Sequence, residues 1–313
     1  MNSHRVHTRL IAGLAAAFWL GAVACSNDPS GTSNGAGDLT PAQVSELGSA
    51  ASDEIAASIS ALPVSGPEDP FGAFAASGPQ PFHGGIMSGH CPAVSPNPVE
   101  DPDGDRVPTL LTLTWDPDIC TFSFWRHGSF TLFGSWSLSD PFPDTPGWDR
   151  DAAIDNLGWT RVFGMDSVTE TRNGTRSVRG TADNLTGQED ITTLRHATGR
   201  DDATVHRQGS ISFDPDEGLQ LVFGDPIPSG SITIDGSLTW TRGANSFEFD
   251  VTTATPLHYN VTDPACAAVP PRLRIDSGEL DLTRTKNGVS RGTLKITWSA
   301  CGEEPTKEFV PAA

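Results

Sequence analysis

The stretch "LDLTRTKNGVSRGTLKITW", Leu280 to Trp298, decides the fold. Polar and apolar residues alternate on both sides of Asn287-Gly288. A period of two puts one row of side chains on a buried face and the next row in water. Asn-Gly tolerates the positive φ angles that a tight hairpin turn requires. The stretch therefore predicts two antiparallel strands joined by a two-residue turn. "TETRNGTRSVRG" predicts a second such turn at Asn173-Gly174. Working outward, "GSFTLFGSWSLSD" places Phe130, Leu132, Trp136 and Leu138 on one face. "GSITIDGSLTW" does the same with Ile232, Ile234, Leu238 and Trp240, and "NSFEFDVTT" with Phe247, Phe249 and Val251. From Thr109 onward the chain carries about a dozen such strands, broken by Gly, Asn, Asp and Pro. No helical stretch of length separates them, so parallel crossovers are excluded and neighbours in sequence pair antiparallel. A meander of this size must curl into a half-barrel or split into a sandwich.

One helix is expected, before the strands. In "DLTPAQVSELGSAASDEIAASISALP", Thr40 is an N-cap, Pro41 takes the first helical position and Gln43 completes a capping box. Leu39 and Val44 stand at the spacing of a hydrophobic staple. Val44, Leu47, Ala51, Ile55, Ile59 and Leu62 recur every three or four residues, giving one apolar stripe. Such a stripe needs a surface to pack on, and the buried face of the sheet is that surface. The expected organisation is a leader at 1–24, a flexible tether at 25–38, the helix at 39–63, a loop at 64–98 and the β domain at 99–313.

The N-terminus carries an export signal. Arg5 and Arg9 precede the apolar run Leu10 to Ala24, which is shorter than the roughly 20 residues that span a bilayer. Ala22-Val23-Ala24 fits the small-x-small rule of ordinary signal cleavage, and followed by Cys25 it resembles the lipobox of bacterial lipoproteins, with Ala22 where that family usually has Leu. That resemblance implies acylation of Cys25 by several chains, and Ser26 after it implies the outer membrane. Cysteine parity agrees: of five cysteines, removing Cys25 leaves Cys91, Cys120, Cys266 and Cys301, an even number in an oxidising compartment. The pairs expected are Cys91–Cys120 and Cys266–Cys301. His83, His90 and Cys91 lie close together but lack the second ligand pair of a structural zinc site.

The net charge is −19 at pH 7. This argues against nucleic acid and against adsorption to anionic lipid, both of which need a basic surface. It suits a soluble body outside the cell and a taste for divalent cations. "DPDGDRVP" places Asp101, Asp103 and Asp105 at alternate positions, from which carboxylates turn toward one centre. The run resembles the calcium repeats of thrombospondin type 3, matching at Asp101, Asp103, Gly104, Asp105 and Pro108. It departs at Arg106, where the family has Gly, and at Thr109, where it has an acid. The resemblance implies a calcium ion on the three aspartates, with the Val107 backbone oxygen as a further ligand. The other reading of the same residues is an acidic turn before a strand, since Asp, Gly and Pro are ordinary turn formers.

No nucleophile elbow, zinc-protease helix or phosphate-binding glycine loop occurs, so no catalytic role is assigned. Most tryptophans fall in alternating apolar registers and belong to the core. Trp125 and Trp148 stand beside turns, where they can line a ligand mouth. The run from Cys91 to Asp140 is similar to that of uncharacterised bacterial lipoproteins with an acidic loop, an alternating strand, a cysteine and a glycine-rich strand, and "GELDLTRTKNGVSRGTLKITWSACG" near the C-terminus shares that character. The expectation is a lipid-anchored envelope protein with a structural or interaction role. Its alternative is a carrier of a lipid or other apolar ligand in the concave face of the sheet.

Overall fold

The computed structural model describes residues 39–60, 91–105, 107–124, 128–222, 227–269, 273–286 and 289–312. Residues 38–313 form one compact unit, so the helix and the strands belong together. Helix α1 spans Pro41–Ser60. Its start is capped as the sequence requires: the Thr40 N–H donates to Gln43 Oε1 at 2.9 Å, and the Gln43 N–H donates to Thr40 Oγ1 at 3.3 Å. Leu39 is buried and Val44 packs against the same core. Ile59 and Leu62, the rest of the expected stripe, lie outside the described side chains.

Thirteen strands follow: β1 (Ala93–Ser95), β2 (Leu111–Trp115), β3 (Thr121–Phe124), β4 (Gly128–Ser139), β5 (Arg150–Phe163), β6 (Asp166–Thr181) and β7 (Asn184–Ala197), then β8 (Ala203–Pro215), β9 (Gly230–Arg242), β10 (Asn245–Tyr259), β11 (Ile275–Lys286), β12 (Val289–Trp298) and β13 (Thr306–Pro311). β1 lies inside the stretch expected to be loop. A short helix, α2 (Pro264–Ala267), interrupts the β10–β11 connection. All strands join one antiparallel sheet in the order β1, β2, β4 and onward to β13, with β3 on β4. The sheet is an unclosed meander, as the alternation demands.

Strand parity makes one face of the sheet the interior. Leu185, Ile191, Val205, Ile211, Phe213, Ile232, Ile234 and Phe249 all point to it, and each is buried. Arg172 of β6 pairs with Glu54 of α1, and Lys307 of β13 donates to Ser49, also of α1. Residues 49 and 54 lie only about 8 Å apart along a helix. β6 and β13 are seven strand steps apart, about 34 Å in a flat sheet. Both can reach one short piece of α1 only because the sheet curls around it. Leu47, Ala51 and Ile55 enter the same core as the β6–β12 side chains.

The expectation of a hairpin at Asn173-Gly174 is corrected. Both residues lie in the middle of β6, paired with Thr192 and Ile191 of β7. Gly174 has φ 143°, and a Cβ there would lie 2.0 Å from the Asp190 carbonyl oxygen, so only glycine fits. Asn173 Oδ1 accepts the N–H of Asn156, a residue at φ 49° in a β-bulge of β5. The Asn-Gly pair therefore bends the sheet here. The true turns of β6 are Gly164-Met165 and Ala182-Asp183. At the Leu280–Trp298 hairpin, Lys286 pairs with Val289, and the Asn287-Gly288 turn itself lies outside the described residues.

Both expected disulfides are formed, Cys91–Cys120 and Cys266–Cys301, with Cα separations of 5.6 and 5.1 Å.

Candidate metal centre

The aspartate loop sits where β2 begins and β4 ends. The Asp140 N–H donates to the Pro108 carbonyl at 3.0 Å, tying the loop to the β4–β5 connection. Within the loop, the Gly104 N–H donates to Asp101 Oδ1 (3.0 Å) and the Asp105 N–H to Asp103 Oδ1 (3.3 Å). These short-range bonds wrap the backbone around the carboxylates. One oxygen from each of Asp101, Asp103 and Asp105 lies within 4.8 Å of the others. Three acids brought this close repel unless a proton or a cation joins them.

The three are not equivalent. Asp105 is buried, and both its oxygens accept backbone amides: Val107 N–H at 2.7 Å and Gly147 N–H at 3.0 Å. It holds the loop to the β4–β5 connection as much as it faces the cluster. Asp103 Oδ2 is inaccessible and has no hydrogen-bond partner. Burial pushes the Asp103 carboxyl up from its ordinary value, and the neighbouring Asp105 and Asp140 charges add to this.

Asp140 is the residue that sequence reasoning missed. It is 7 % exposed; Oδ1 accepts the Phe142 N–H at 2.7 Å, while Oδ2 is buried with no partner. Burial raises its pKa first, then the charges of Asp105, Asp149 and Asp101. Asp149 is itself held by the Gly180 N–H at 3.0 Å. The only signal in the sequence was the acidic density of "SDPFPDTPGWDR", which reads equally as a turn. Asp101, Asp103 and Asp105 thus form the cluster, and the charges of Asp140 and Asp149 from the β4–β5 connection act on the same end of the sheet. Hard oxygen donors of this number and charge suit calcium. Val107 is buried and its N–H serves Asp105. Arg106 lies outside the described residues.

No family model, curated protein or solved structure matches the chain.

Other expected site residues fall elsewhere. Trp148 is buried in the main core instead of lining a mouth. Trp125 and Cys25 lie outside the described residues. Cys266, Asp276 and Cys301 also converge, but the two sulfurs are bonded to each other.

A second polar assembly, invisible in the sequence, lies between α1 and the sheet. Ser58 donates to Glu189 at 2.8 Å, and Arg176 and Arg207 both pair with that carboxylate. Glu54 accepts from Thr193 at 2.8 Å and lies 3.7 Å from Arg172, which reaches Glu170 at 3.3 Å. Burial alone would raise the Glu189 pKa, but the Arg207 and Arg176 charges outweigh it and hold the carboxyl below its usual range. Arg150 is lowered to about 10, by burial first and then by the Arg176 charge.

Proposed function

We propose that this chain is a lipid-anchored envelope protein whose β domain has a structural or interaction role, with its acidic loop clamped by calcium. The observation carrying the reading is the convergence of Asp101, Asp103 and Asp105 beside the buried, unpartnered Oδ2 of Asp140. A buried carboxylate oxygen without a donor is costly, and a divalent cation removes that cost. The ion joins the entry of β2 to the exit of β4, while Cys91–Cys120 pins the other end of β2. The lipid anchor rests on the lipobox at Cys25, and the outer membrane on Ser26 after it.

The carrier alternative needs apolar volume between α1 and the sheet. Leu47, Ala51 and Ile55 occupy that space, and the Glu54–Glu189 assembly continues it with ions. A groove of about 460 Å³ lies instead across the polar side of β4–β8, lined by Ser139, Thr175, Ser177, Gln188 and Gln208 among others. Hydroxyls and amides do not suit an acyl chain. These features favour the structural reading. Calorimetric titration with calcium tests it: the expected result is one ion per chain, lost in Asp103→Ala and Asp140→Ala. Heat indistinguishable from dilution overturns it. The intact mass of the exported protein tests acylation of Cys25 separately.

A further inference from the structure

The charges of this chain are sorted by end. The β5–β6, β7–β8, β9–β10 and β11–β12 connections all lie on one rim of the sheet. Residues 160–169, 194–204, 239–248 and 283–293 make up that rim, and they hold six arginines and one lysine against four acidic residues, in a chain of net charge −19. The opposite rim carries the aspartate loop, Asp140, Asp149, Asp214, Asp216 and Glu217. Among the described residues, Arg161, Arg195, Arg200 and Arg291 form no ion pair, and all four belong to the basic rim. Arginines deeper in the fold, such as Arg172, Arg176 and Arg207, have carboxylate partners. The rim also carries bare apolar groups: Phe163 and Met165 flank the Gly164 turn, and Met165 is 96 % exposed.

Helix α1 touches this rim as well. Glu46 pairs with Arg242, the last residue of β9 and part of this rim. Glu54 reaches Arg172 and Thr193, and Ser58 reaches Glu189 and Arg207, each farther along its strand from the rim. The first half of α1 thus meets Arg242 at this rim and Lys307 of β13 toward the other.

We infer that the basic rim is a docking surface for an anionic phospholipid bilayer, with Met165 and Phe163 entering the headgroup layer and the unpaired arginines meeting lipid phosphates. The inference rests on the lipid-anchor reading for its setting. The net charge, which alone argues against anionic lipid, is outweighed locally because this rim holds seven basic against four acidic residues. Repulsion of the acidic end from the same surface fixes the orientation.

The test removes the anchor. The exported chain carrying Cys25→Ser is sedimented with vesicles of phosphatidylethanolamine and about 30 % phosphatidylglycerol. The expected result is retention near 0.05 M salt and release near 0.5 M, where screening is nearly complete at about 4 Å. Arg200→Ala weakens retention about five-fold. Met165→Asp weakens it further with an unchanged melting temperature, since that side chain touches almost nothing in the fold. No retention above that on phosphatidylcholine vesicles, or retention indifferent to both variants, overturns the inference. The intact mass of the unmutated protein reports the anchor independently. Acylation without Cys25→Ser retention removes the rim and leaves the anchor; retention without acylation does the reverse.

Discussion

Both carboxylate oxygens of Asp105 accept backbone amides, one in its own loop and one from Gly147 in the next connection. Asp103 and Asp140 each keep an inaccessible oxygen with no partner. The difference separates architecture from ion binding at the level of single residues. Asp105→Ala leaves two buried N–H groups unmet and costs about 1–3 kcal/mol with or without calcium. Asp103→Ala changes the stability of the calcium-free protein little, and chemical denaturation in chelator compares the two. His258 gives a second residue-level prediction. Burial pushes its pKa down, but hydrogen bonds to Asp216 and Asp276 outweigh this and raise it. Its contribution to stability is therefore full below the unfolded value of about 6.5 and is lost as pH rises through the higher folded value. Asp276 works in the opposite sense: burial would raise it, but Asn260, His258 and Ser277 hold it low. Its contribution is lost as pH falls below about 3.8. His258→Asn compared with the unmutated chain from pH 5 to 9 should show a gap that closes toward the alkaline end; a pH-independent gap contradicts the ion pairs.

At the scale of elements, α1 was legible almost completely. Thr40, Pro41 and Gln43 form a local code for a helix start, and the Val44–Ile55 stripe is periodic. The strands were legible for the same reason, since alternation is a local signal. Asn173-Gly174 misled because one dipeptide serves a tight turn or a bulge, and long-range pairing across β5, β6 and β7 decides which. The ions beneath α1 were illegible for a related reason. Glu54 and Ser58 lie 131 or more residues from Glu189, Thr193 and Arg207, and no local pattern marks such a partnership. Their energetics differ from the stripe's. Ile55→Ala opens a cavity and costs about 2–5 kcal/mol. Glu189→Ala leaves Arg176 and Arg207 as uncompensated buried charges and costs about 3–5 kcal/mol. Equal or milder loss than a surface substitution, measured by urea unfolding, would place Glu189 outside the assembly.

At the scale of the whole molecule, a single sheet is curled around one helix and fastened at its ends. Cys266–Cys301, with a sequence separation of 35, ties the β10–β11 connection to the end of β12. Loop-closure entropy puts its contribution at about 4 kcal/mol. Cys91–Cys120 fixes the other edge, at the end of β2 away from the acidic loop. Calcium on Asp101, Asp103 and Asp105, proposed above, would be a third fastening beside Asp140. A ligand at a hundred times its dissociation constant stabilises the folded state by about 2.7 kcal/mol. For a unit of this size each kcal/mol moves the melting temperature by about 2 °C. The decisive measurement is the melting temperature with saturating calcium and with chelator, for the unmutated chain and for Asp140→Ala. The account predicts a rise of about 5 °C in the unmutated chain and none in the variant. Identical melting temperatures with calcium and with chelator in the unmutated chain contradict it and leave the aspartates as a turn.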